Sequence, residues 1–130
     1  MIQVGLTFWS ILRMGMMRVA SLKTRQVQFK DIALSSDTYP ENAKPHQNNA
    51  ENHFETPVLF YAAVGVAAAM GVANWGMVVG AIVFILARLV HYKIHVGKNN
   101  LRHRFMAFLA GLFGLLICWG ALGMRMLDIA

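Results

Sequence analysis

Charge is scarce in this chain. Of its 130 residues only 14% are Asp, Glu, Lys or Arg, and only six of those are acidic. Soluble domains carry about 25% charged residues, so a water-facing surface of the usual kind is excluded. Cysteine is scarcer still, because Cys118 stands alone in an apolar run. A single thiol rules out an intramolecular disulfide framework and a Cys-x-x-Cys motif. A reactive thiol needs an electropositive, accessible setting, which its neighbours do not offer, so Cys118 is expected in the core. No Glu-x-x-His pair occurs, which removes the ligand pattern of di-metal helix bundles. A secretory leader is not recognisable either: Arg13 and Arg18 interrupt the first apolar stretch, and no small-residue cleavage site follows it.

What the chain has in quantity is apolar surface. Hydrophobic residues make up 57% and the mean hydropathy is +0.48. One membrane span takes about 20 residues, and the apolar segments leave room for four. The expected fold class is therefore an all-α membrane protein, an antiparallel four-helix transmembrane bundle formed by one domain over residues 1–130. Spans are expected near 2–24, 46–73, 75–98 and 102–127, with a hydrophilic loop at about 25–45. The first span is the weakest, since Arg13 and Arg18 must snorkel or face protein. Its apolar lead-in before Arg13 is short, which points to a start upstream of Met1.

In the loop, Ser35-Ser36-Asp37-Thr38 and Tyr39-Pro40-Glu41-Asn42 are turn-formers, and Pro45 suits a helix start. Gln26 to Ile32 alternates in polarity and reads equally as a membrane-surface segment or a solvated linker. Pro57 removes a backbone donor where polar residues give way to apolar ones, so a kink is expected there. Gly71 to Gly76 is short and uncharged, which makes spans two and three antiparallel neighbours. Ala62, Gly65 and Ala69 on span two, and Ala107, Gly111, Gly114, Gly120 and Gly123 on span four, allow close helix approach.

The net charge of +6 does not read as a nucleic-acid face, because ten of the twelve Lys and Arg residues lie within 18–44 and 88–104, concentrated as orientation signals are. Lys23, Arg25, Lys30 and Lys44 flank the first loop, Lys93, Lys98, Arg102 and Arg104 flank the third, and Arg125 stands alone at the opposite side. The positive-inside rule places both long loops in the cytoplasm and both termini outside.

Within this frame Arg88, His91, His95, Lys98 and Arg102 recur at intervals of three and four residues, so they share one helical stripe. An arginine and two histidines at membrane depth mark a functional site by default. Glu55, near the same end of span two, can meet Arg88. Taken alone, such a pair reads as a structural tie between helices. Together with Asn48, Asn52 and the neighbouring cations it suits an anionic ligand rich in hydrogen-bonding groups: Arg and Lys for carboxylates, Asn for amides, Glu for an ammonium. A metal or haem site built from His91, His95, His46 and His53 is the other reading of the histidines, and the cationic surroundings oppose it. His103 sits in a basic run and reads as a solvated or headgroup-level residue.

Two segments carry a family resemblance: Asn48-Asn49-Ala50-Glu51-Asn52-His53-Phe54-Glu55-Thr56-Pro57-Val58-Leu59-Phe60-Tyr61 and Ala87-Arg88-Leu89-Val90-His91-Tyr92-Lys93-Ile94-His95-Val96-Gly97-Lys98. Over about residues 10–127 the chain resembles the MAPEG superfamily, the membrane-associated proteins in eicosanoid and glutathione metabolism, and looks most like its short bacterial branch. The resemblance implies a four-helix protomer, a homotrimer, and glutathione bound as co-substrate between protomers near the cytoplasmic side. It implies a multi-pass protein of the bacterial inner membrane, acting as a glutathione transferase or peroxidase on lipophilic electrophiles drawn from the bilayer. Asn52 and Glu55 match the family's Asn-x-x-Glu pair, Arg88 and His91 match the helix-three positions that contact glutathione, and Arg104 falls where an arginine stabilises the thiolate. Arg25 is the nearest match to a helix-one arginine, with Arg18 the other choice. The sequence departs from the family at Asn48, where an arginine is usual, at His95, where a tyrosine is expected, and at Pro57, which lies closer to the glutamate than usual. The competing class is a non-enzymatic small membrane protein whose polar helix face only holds an oligomer together.

Overall fold

The computed structural model describes residues 1–32 and 38–127, so the turn expected at Ser35-Ser36-Asp37 lies outside the described residues. All regular elements among the described residues are helical: α1 (Ile2–Lys23), α2 (Lys44–Glu51), a 3-10 turn (Asn52–Phe54), α3 (Thr56–Met70), α4 (Trp75–Val96) and α5 (Leu101–Met126). They fall into two compact units, the first ending at His53 and the second beginning at Phe54.

In the first unit α1 and α2 run antiparallel and meet through polar side chains. Gln3 Nε2 and Thr7 Oγ1 lie 3.2 and 3.1 Å from His53 Nδ1. Further along, Ser10 Oγ donates to Asn49 Oδ1 at 2.9 Å, and Arg13 acts electrostatically on His46. Gln3, Ser10, Asn49 and His53 are all buried, so an internal seam is polar where an ordinary helix pair would be apolar. Beyond α1 the chain turns at Arg25, whose φ of 55° is left-handed. The Gln26–Ile32 stretch then folds into turns rather than a regular element. Its alternation does not gather the apolar residues on one face: Val27 joins Tyr39 and Ala43 in a small buried cluster, while Phe29 stands 78% exposed. Arg18 lies over the Tyr39 ring at 5.2 Å, a cation–π contact that lets its stem pack without a carboxylate partner. Pro45 occupies the first turn of α2, where its missing N–H costs nothing.

The second unit begins where the helix breaks. Pro57 has no N–H to return to the carbonyl of His53, and the backbone answers with the 3-10 turn and a Glu55 conformation of φ −99°, ψ −103°. From there α3, α4 and α5 alternate in direction. Phe60 stacks on Phe84 with ring centroids 4.7 Å apart, and Ala63 and Ala67 pack with Met77, Ala121 and Leu122 further along. Gly71, at φ 66°, ends α3 in the left-handed conformation that glycine adopts freely. Asn74 caps α4, its Oδ1 accepting from Met77 N at 3.1 Å, while its Nδ2 donates to the Ala121 carbonyl at 3.1 Å. One amide thus fastens the α3–α4 turn to α5. The closest approach of α4 and α5 is at Gly80 and Gly114: a methyl on Gly80 would fall 2.7 Å from the Gly114 carbonyl oxygen. Cys118 is buried at this crossing, as its apolar surroundings in the sequence suggest, and its thiol donates to the Met77 carbonyl at 3.4 Å. On α5 the small residues divide in use. Ala107, Gly111 and Gly114 are buried, whereas Gly120 and Gly123 face open space.

Three stretches are long and apolar enough to cross a membrane: Lys44–Met70, Trp75–Val96 and Leu101–Met126. α1 forms where a first span is expected but is not among them, because Gln3, Thr7, Ser10, Arg13 and Arg18 dilute its apolar residues. The outer faces of α4 and α5 expose Val79, Ile82, Leu86, Phe113 and Leu116. A contiguous apolar face of this kind is at home in lipid.

Candidate functional site

The stripe read from the sequence on α4 divides along its length. Arg88, His91 and His95 are buried, with relative exposures of 2%, 3% and 1%, and Lys98 and Arg102 beyond them are exposed. The spacing that selects the first three is the spacing that turns them toward α5. Gly111 is what makes room there: a Cβ at that position would touch Ala87, the Arg88 stem at Cδ and Phe84 at 3.6–3.9 Å, ordinary contact distances. One turn further along, the His91 ring lies 6.4 Å from Phe108 and 5.3 Å from His95, the two imidazoles edge to face. Among the described residues no three His, Cys, Asp or Glu side chains converge as a metal set.

Glu55 acts electrostatically on Arg88, and so does Tyr61. Glu55 is nevertheless exposed. The break before Pro57 is the physical reason, since it takes Glu55 out of helical register and leaves it as the N-cap of α3. The buried member of the pair is Arg88 alone. Among the described residues Nε and Nη1 of Arg88, Nδ1 of His91 and Nε2 of His95 are buried atoms that make no hydrogen bond, while each of the three residues interacts through other atoms.

Arg104 lies in the first turn of α5, half-buried. Its Nη1 donates to Asn99 Oδ1 at 2.8 Å, and Asn99 itself sits at φ 47°. The second unit therefore contains Glu55, Arg88, His91, His95 and Arg104, of which Arg88, His91 and His95 form one continuous row. Asn52 and Arg25 belong to the first unit. Asn52 Nδ2 donates to the Asn48 carbonyl at 2.7 Å, and Arg25 is exposed in the turn after α1. Arg18, the other choice for a helix-one arginine, is the one stacked on Tyr39.

Sequence reasoning passed over the polar seam of the first unit. It singled out Asn48 and Asn52, which are exposed or half-buried, whereas Asn49 and His53 are the buried pair. A signal was present. Gln3, Thr7 and Ser10 recur at four and three residues, and His46, Asn49 and His53 at three and four. Two polar stripes of the same length on neighbouring helices satisfy one another when the helices pair antiparallel.

No curated protein and no solved structure matches the chain. The model of the MAPEG family matches residues 1–124, a stretch that takes in both polar rows, two of the membrane-length helices whole and the third up to its last two residues. The chain is a membrane protein that belongs to the MAPEG family.

Proposed function

We propose that this protein is a glutathione-dependent transferase or peroxidase that acts on lipophilic electrophiles dissolved in the bilayer. The observation that carries the reading is the buried row Arg88, His91 and His95 on a helix of membrane length. A guanidinium and two imidazoles in one row at membrane depth mark a functional site by default, because lipid cannot solvate them. A tripeptide with two carboxylates gives the cations their complement, and Glu55 is the group on this chain suited to its ammonium. Arg25 and Asn52 are assigned to the same ligand, for a carboxylate and an amide respectively. Arg104 is the catalytic candidate. A cation beside the sulfur favours the thiolate over the thiol, and the thiolate attacks the electrophile.

The same reading makes α1 a fourth span, whose Arg13 and Arg18 face protein rather than lipid. It places the loops rich in Lys and Arg in the cytoplasm of a bacterial inner-membrane protein. It also calls for a homotrimer, since Asn48 and Glu55 are exposed polar groups on or beside a membrane-length stretch and a second copy can cover them. Titration of the detergent-solubilised protein with glutathione tests the site directly. Saturable binding at or below millimolar ligand is expected, and its loss in Arg88→Met ties it to the row. No saturable binding removes the enzymatic reading and leaves a polar face that only joins protomers.

A further inference from the structure

The turn between α4 and α5 contains two consecutive asparagines with different tasks. Asn100 caps α5, its Oδ1 accepting from His103 N at 3.1 Å, and its carbonyl accepts from Arg104 N at 2.9 Å. Asn99 closes α4: it takes the left-handed conformation, φ 47°, and its N–H returns to the Ile94 carbonyl at 2.8 Å. That is the capping geometry glycine usually supplies, and Gly97 stands two residues earlier at φ −94°. Asparagine also tolerates this conformation, so the cap accounts for the backbone at 99 but makes no use of the side-chain amide oxygen. That oxygen instead accepts from Arg104 Nη1 at 2.8 Å.

We infer that Asn99 is a positioning residue for Arg104, fixing the direction of its guanidinium while leaving its charge intact. The inference rests on the glutathione reading of this site. A long arginine side chain near a headgroup region samples many rotamers, and tethering one of its five donors removes much of that freedom. The tether is a neutral amide, and that matters. A carboxylate at this position would hold the guanidinium equally well but would neutralise it toward a developing sulfur anion. An amide orients the cation and keeps its field available.

The test is a pH titration of glutathione bound to the solubilised protein, followed by ultraviolet absorbance of the thiolate, together with conjugation rates toward a model electrophile. Four proteins are compared: wild type, Arg104→Ala, Asn99→Gly and Asn99→Asp. Glycine keeps the left-handed turn, so Asn99→Gly should melt like wild type and still lose at least about threefold in rate as the tether is lost. Asn99→Asp should keep the tether and raise the thiol midpoint by about one pH unit or more toward that of free glutathione. Arg104→Ala should abolish the shift altogether. If Arg104→Ala loses the shift while both Asn99 variants titrate and turn over as wild type does, the positioning role is overturned and the glutathione reading stands. If bound glutathione in the wild type shows no depressed midpoint, the role of Arg104 falls and that of Asn99 falls with it.

Discussion

Arg88 and Arg104 are both assigned to the proposed glutathione site, but they stand in different surroundings and should fail differently. Arg88 is buried and its electrostatic partner Glu55 is exposed, so removing the cation strands no buried carboxylate. Arg88→Met, which keeps the volume, should melt within a few degrees of wild type while losing glutathione binding, because replacing a buried charge by a well-packed apolar group is often neutral or stabilising. Arg88→Ala opens a cavity next to Gly111 and should cost about 2–5 kcal/mol. Thermal unfolding in detergent separates the two variants. Arg104→Ala should leave melting and glutathione affinity nearly unchanged while turnover falls at least about tenfold, or about 1.4 kcal/mol of barrier, as single-turnover kinetics would report. The row on α4 was legible in the sequence because helical spacing alone selects it. The exposure of Glu55 was not, because it depends on how the chain relaxes around Pro57, and a proline announces a break without stating which residues leave the register.

Glycines offer a sharper contrast at the scale of the helix pair. Gly80→Ala and Gly114→Ala would each drive a methyl into backbone atoms of the facing helix, at 2.7 and 2.6 Å. Backbone cannot rotate aside, so each should cost about 1–3 kcal/mol or more. Gly111→Ala meets its nearest atom at 3.6 Å and should be neutral or stabilising by up to about 1 kcal/mol, since alanine favours the helix. Chemical or thermal denaturation of the three variants in one detergent gives the ranking, and equal losses would contradict the crossing point described above. Asn74→Asp is a companion test: the carboxylate keeps the cap on Met77 but cannot donate to the Ala121 carbonyl, and should cost about 1–3 kcal/mol. The sequence revealed α5 as rich in small residues, yet gave no means to tell Gly114, in contact, from Gly120, in open space. That distinction comes from the α4 register, which is settled by Phe84 and Cys118 packing between the helices.

Across the whole molecule, all-helical membrane architecture was legible from composition, because apolar runs of about 20 residues suit helical spans and not the short alternating strands of a barrel. The role of α1 was less so, for its polar residues keep it below span hydropathy while its buried face forms a polar seam with Asn49 and His53. This seam has a consequence in time. Ser10 and its partner Asn49 are 39 residues apart, and Thr7 and His53 are 46 apart. A ribosome adding about 5–20 residues per second therefore leaves α1 without its polar partners for roughly 2–9 seconds. During that interval Gln3 and Ser10 have water, headgroups or the insertion machinery in place of Asn49 and His53. Nascent chains stalled before residue 44 should be extracted from membranes by alkaline carbonate, and chains stalled after α3 has emerged should resist it. Completion of the first helix's polar seam is thus an event of the second helix's synthesis, and the order of the sequence becomes a schedule for assembly.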